Sequence, residues 1–358
     1  MTEAEFKGQD FEKSLSQAVT SVAEFEDTNR SLLHRFQQVL HGTPFLVPMI
    51  VLVASIAVFA VLSDNFFRTS TLTLIMQQIA VVGILGVAQS LVILTAGIDL
   101  SVGAIAVFSS VVMGLFTFRY GIPAPISILM ALAIGTAIGA ANGWLVAKVK
   151  LPPFIVTLGT WQIVLATNFI YSANETIRSQ DIEAQAPILQ IWGTPFRMGN
   201  TTATLAVILL IVIVLVMAYV LRQTAWGRHV YAVGDDPEAA ELAGVQVDRQ
   251  LIQVYALAGF FTAIAGWVMI GRYGSVSPAA STGQIGNIQS ITAVVIGGIS
   301  LFGGRGSIIG MFFGALIVGV FELGLRMLGT NPQLTYLLIG LLIIGAVAVD
   351  QWIRKVSA

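Results

Sequence analysis

The residues whose types and spacing invite chemistry are few, and most of them lie between two long apolar runs. Asp235-Asp236-Pro237-Glu238-Ala239-Ala240, closed by Gly244, reads as a short helix with its own stop signals. Asp235 or Asp236 can accept from the free N–H groups of a first turn, Pro237 suits the first helical position, and Glu238 complements the positive end of the helix dipole. Gly244 supplies the left-handed terminator. A helix of about two turns is not stable alone in water, so it needs a surface to pack against. In a membrane chain that surface is either the lipid interface or a second protein on the cytoplasmic side. A second candidate is Asp99, inside Gly97-Ile98-Asp99-Leu100-Ser101-Val102-Gly103. A carboxylate near membrane depth is expensive and marks function, although a tight turn at the membrane surface has the same spacing. Glu322 and Arg326 stand four apart on one helix face, and an ion pair there is favoured over a proton relay.

Other chemistries lack their residues. No phosphate loop of the Gly-x-x-x-x-Gly-Lys-Ser/Thr type is present, and no lysine follows a glycine, so the chain offers no such ATP site. There is no cysteine, and His34, His41 and His229 are scattered, which disfavours a metal centre and any thiol chemistry. Neither a nucleophile elbow nor a carboxylate pair of glycosidase type occurs, so no catalytic residue and no cofactor is expected.

The elements that must position these groups are set by composition. Of 358 residues, 56% are hydrophobic and 10% charged, which excludes a soluble globular domain. The apolar runs are long enough for helices to cross a bilayer and do not alternate as barrel strands would. The net charge of −1 argues against nucleic-acid binding. The fold class expected is therefore an all-α polytopic membrane protein.

About ten spans are predicted, near 45–62, 73–96, 101–118, 125–147, 154–173, 202–221, 251–271, 286–302, 307–328 and 334–352. The Lys/Arg distribution orients the chain with both termini inside, and places the loop 222–250 on the cytoplasmic side. Residues 1–43 form a polar segment with amphipathic helical spacing and no cleavage signal. The membrane-spanning body covers 44–353, followed by a short cytoplasmic tail, 354–358. The external connection 174–200 is the largest and offers a landing surface for a partner.

The junction around Asp99 resembles Gly297-Gly298-Ile299-Ser300-Leu301-Phe302-Gly303-Gly304-Arg305-Gly306-Ser307, a weak internal repeat. Glycine and serine breaks between apolar segments are what discontinuous helices look like, and transporters place them beside the translocation path. Gly135, Gly139 and Gly143, and again Gly306, Gly310 and Gly314, recur every fourth residue and leave smooth faces for close helix packing.

Taken with the Glu-Ala-Ala loop between them, these two junctions resemble those of the ribose/xylose/fructose class of bacterial ABC sugar permeases, over about residues 45–355. The resemblance implies a homodimeric permease in the inner membrane, with an ATPase subunit docked in the cytoplasm on residues 235–244 and a periplasmic sugar-binding protein outside. It implies no catalysis by this chain. A sugar path needs hydroxyl-matching amides and stacking rings. By type, Gln77, Gln78, Asn142, Trp161, Gln162, Asn168, Gln284 and Asn287 are candidates beside Asp99, although each also suits helix packing. The rival is an ion-gradient-driven secondary sugar transporter, with Asp99 or Glu322 carrying the ion.

Overall fold

The computed structural model describes residues 45–198 and 201–331, together with 333–334, 337–341, 344–345 and 348. The polar segment 1–43, most of the run at 334–352 and the tail 354–358 lie outside the described residues. Those described belong to a single compact unit, 43–358.

The chain is mostly helical. In order it forms α1 (Leu46–Leu62), α2 (Thr69–Leu94), α3 (Val102–Phe118), α4 (Ala124–Ala147) and α5 (Pro153–Ser172). The connection that follows is folded rather than open. It contains α6 (Ser179–Gln185), a 3-10 turn at Pro187–Gly193, and a hairpin of β1 (Pro195–Met198) paired antiparallel with β2 (Thr201–Thr204). Then come α7 (Leu205–Gln223), α8 (Ala225–Asp235), α9 (Pro237–Leu242), α10 (Val247–Tyr273), α11 (Ala280–Ile296) and α12 (Ile308–Met327). Six of these, α2, α4, α5, α7, α10 and α12, are long and apolar enough to cross a membrane, and α1 and α3 are shorter apolar helices. Ten full spans are therefore not what the described residues contain. The apolar run placed at 286–302 belongs to a helix that starts six residues earlier and stops at Ile296, where the glycine break begins.

The fold is built around α2. From Gln78 to Leu94 every residue of it is buried, as expected of a helix apolar on all sides. It packs on α7, α10, α11 and α12. Lipid tails give apolar helices no hydrophobic reason to associate, so close backbone approach must supply the contact. The α4–α10 pair shows how. A Cβ on Gly139 would overlap the Tyr255 carbonyl, and one on Gly135 would come within 2.7 Å of Ala263 Cβ. On α12, Gly314 lies in the same way against Ala293 of α11.

Candidate functional site

Three groups of residues need placing: the capped helix, the two glycine breaks, and the polar side chains between helices. Local chemistry sets α9. Asp236 Oδ1 accepts from Glu238 N at 2.9 Å and Ala239 N at 3.0 Å, Pro237 follows as the first helical residue, and Gly244 takes φ +87°. Of its residues, Ala240 is buried whereas Glu238 and Ala239 are exposed, and Leu242 is 91% exposed. Among the described residues it is the most exposed large hydrophobic side chain. Leu242 escaped the sequence reading because a lone leucine after a Glu-Ala-Ala run looks like ordinary helix filling.

Helix α8 leads directly into α9. Thr224 caps it, its hydroxyl accepting from Gly227 N at 3.1 Å. Its far end is buried where the two glycine breaks meet. Gly304 N donates to the Leu94 carbonyl at 3.0 Å, joining the second break to the first. Gly234 fits against both, since a Cβ there would overlap the Leu94 carbonyl and reach within 2.7 Å of Gly304 N. Gly303 and Gly304 take φ +83° and +68°, which glycine adopts freely. One turn back, the Tyr231 hydroxyl donates to the Gly306 carbonyl at 3.0 Å. Burial pushes the Tyr231 phenol above its ordinary pKa, so it remains a donor.

Asp99 is buried at the start of α3. Its Oδ1 accepts from Ser101 N at 2.7 Å and from the Ser101 hydroxyl at 2.5 Å. Asn142 Nδ2 donates to the same hydroxyl at 3.1 Å, and Thr160 donates to Asn142 Oδ1 at 2.6 Å. Asn287 Nδ2 donates to the Leu100 carbonyl at 2.9 Å. Asp99, Asn142 and Asn287 thus tie the first break to α3, α4, α5 and α11.

A cavity of about 200 Å³ opens between α2, α3, α10, α11 and α12. Its polar lining is Gln78, Arg272, Tyr273, Thr282, Gln289 and Glu322. Arg272 donates to the carbonyls of Gln77 and Gln78 and lies over the Tyr273 ring, 5.5 Å from its centre. Gln289 Nε2 donates to one oxygen of Glu322 at 2.9 Å, while Arg326 meets the other at 3.3 Å. Since α10 starts beside α8 and α9 and runs 27 residues to Tyr273, about 40 Å of helix separates the cavity from the capped helix.

Of the amides singled out in the sequence, only Gln78 lines this cavity, with Gln77 present through its carbonyl. Trp161, Asn168 and Gln284 gather around a separate small crevice with Gly283, and Asn168 Nδ2 donates to the Pro278 carbonyl at 3.0 Å. Gln162 is exposed on α5 and lines neither. Arg272 and Gln289 were missed. For Arg272 the available signal was a charge at the end of an apolar run, whereas Glu322 stood out by its spacing from Arg326.

A mostly helical bundle with six helices long and apolar enough to cross a membrane, and glycine breaks that meet beside a short capped helix, is the architecture of a polytopic membrane protein. The chain belongs to the family described as branched-chain amino acid transport system / permease component, which matches residues 71–347. Among curated proteins it is 64% identical to the fructose import permease of Rhizobium meliloti, covering 98% of this chain and 97% of that one. It is 35% identical to the ribose import permease of Escherichia coli K12, over 84% of this chain and 92% of the relative. With the D-allose transport system permease of the same organism it shares 31% over 88% and 92%. No solved structure matches.

Proposed function

We propose that this chain is the transmembrane permease subunit of an ATP-binding-cassette importer for a monosaccharide, with fructose the first sugar to test. Likeness to the fructose import permease over nearly the whole of both chains supports the substrate. The observation that carries the mechanism is α9, capped at both ends and presenting Glu238, Ala239 and a bare Leu242. On this account two copies of the permease sit in the inner membrane with both termini inside, an ATPase subunit grips α9 from the cytoplasm, and a periplasmic binding protein delivers sugar outside.

Closure of the ATPase would push α9 and, through the adjoining end of α8, the junction of Gly234 with Leu94 and Gly304. Leu94 is the last residue of α2, so a push there tilts the central helix that also walls the cavity. Packed helices move between discrete arrangements, which is what alternating access requires. A cysteine placed at Glu238, in a chain that has no other, should cross-link to the ATPase subunit in membranes containing the whole complex. Efficient cross-linking from residue 238 and none from a cysteine at Gln162 supports docking on α9. Equal yields from both sites contradict it.

A further inference from the structure

Four residues of α2, Gln78, Val82, Leu85 and Gln89, fall on one stripe. Steps of three and four residues keep them within about 60° on the helix, and Gln89 lies about 16 Å beyond Gln78 towards the glycine breaks. The first three line the cavity. Gln89 does not. It is fully buried, and neither its Nε2 nor its Oε1 has a hydrogen-bond partner among the described residues. An amide sealed away from water with both ends unpaired costs free energy comparable to lost hydrogen bonds, so its retention needs a reason. Asn287 of α11, also buried, has Oδ1 unpaired. Between the cavity and Gln89 stands Leu85, whose side chain meets Gly286 closely enough that a Cβ there would come within 3.1 Å of it.

We propose that the cavity is a binding site for a neutral monosaccharide within a single copy of the chain, that Leu85 against Gly286 is its closed inner floor, and that Gln89 is the next polar contact once that floor opens. The proposal rests on the importer reading above. Size and chemistry both fit. A water needs about 10–15 Å³ of such volume, so about 200 Å³ holds on the order of a dozen heavy atoms, the size of a hexose. Glu322 and Gln78 offer acceptors for sugar hydroxyls, Gln289, Thr282 and Arg272 offer donors, and Tyr273 offers a ring face. Arg272 is pinned to backbone carbonyls and Glu322 to Gln289, so much of the ordering that binding would otherwise require is already done. The unpaired amide of Gln89 costs little in the state where sugar hydroxyls meet it, which biases the floor towards opening when sugar is present.

The absence of native cysteine makes this directly testable. In the reconstituted complex, single cysteines at Thr282 and at Gln289 should react with a membrane-impermeant methanethiosulfonate added outside. Fructose at about ten times its Kd should slow both reactions about tenfold, whereas sucrose should not. A cysteine at Gln89 should be inert, and should react about tenfold faster or more when Leu85→Ala removes the floor. Having two cavity positions guards against one variant failing to fold. Modification of both that fructose, ribose and allose all leave unchanged overturns the binding site. Reaction of the Gln89 cysteine as fast as the Thr282 cysteine with Leu85 in place overturns the floor. Protection is read without ATP, so ATP-independent uptake by the wild-type complex would count against the importer reading alone.

Discussion

Replacing Gly234 with alanine should separate ATP hydrolysis from transport. A Cβ at this position would overlap the Leu94 carbonyl and come within 2.7 Å of Gly304 N. Ordinary contacts between such atoms are near 3.5 Å, so relieving the overlap with the Leu94 oxygen requires the end of α8 to withdraw by roughly 1.5–2 Å. That movement strains or breaks the 3.0 Å bond from Gly304 N to the Leu94 carbonyl, a direct link between the two breaks on which Gly234 rests. Overpacking of this kind costs about 1–3 kcal/mol, and a lost buried backbone bond costs about as much again. Alanine's better helix propensity returns at most about 1 kcal/mol. The net weakening of the junction is about 1–5 kcal/mol, a shift between its states of roughly fivefold or more. Because Asp236, Pro237 and the rest of α9 are untouched, ATPase docking and hydrolysis should persist while sugar moved per ATP falls about tenfold or more. The assay is the ratio of fructose uptake to phosphate released in proteoliposomes of the full complex at equal permease content. A wild-type ratio would show that the junction transmits nothing.

The docking element and the first break give two further tests. Asp236→Ala removes the acceptor for Glu238 N and Ala239 N, costing about 1 kcal/mol. Co-purified ATPase should drop about fivefold, and Asp236→Asn should restore it, since asparagine caps equally well; no loss with alanine would mean that the cap is irrelevant to docking. Asp99→Ala strands Ser101 N and its hydroxyl in a buried site at a cost of about 1–3 kcal/mol. Thermal stability in detergent should fall while transport per folded molecule stays near normal, and Asp99→Asn should lose less. A stable Asp99→Ala protein that cannot transport would instead put the carboxylate on the path.

How legible these features were in the sequence depended on the distance over which their chemistry is assembled. Helix α9 was readable because Asp236, Pro237 and Gly244 act within nine residues and each does its work locally. Helix α8 was not. Its glycines at 227 and 234 and its polar residues look like loop, and it is helical because Gly227 packs on the Leu221 backbone and Gly234 on Leu94 and Gly304. The two breaks were found by composition, but their meeting through Leu94 and Gly304 joins residues more than two hundred positions apart. The cavity was the least visible feature. Arg272, Gln289 and Glu322 come from three helices, and α11 carries polar residues in its first turns that the apolar-run criterion cut away. The Glu322–Arg326 pair was read correctly from spacing. Spacing does not reveal that the other Glu322 oxygen holds Gln289 at the cavity wall. In the same way, the connection 174–200 was recognisable as polar, whereas its hairpin and its 3-10 turn, where Gly193 packs against Gly271, follow from tertiary contact.

The most direct test of the account is the energy source of uptake by the wild-type chain. Proteoliposomes carrying permease, ATPase subunit and sugar-binding protein should accumulate fructose only with ATP inside the compartment that bears the ATPase, and should continue when ionophores collapse the proton and sodium gradients. The isolated permease should accumulate none. Accumulation by the permease alone, driven by an ion gradient and indifferent to ATP, would contradict the proposal that α9 exists to couple this bundle to a partner's ATP hydrolysis.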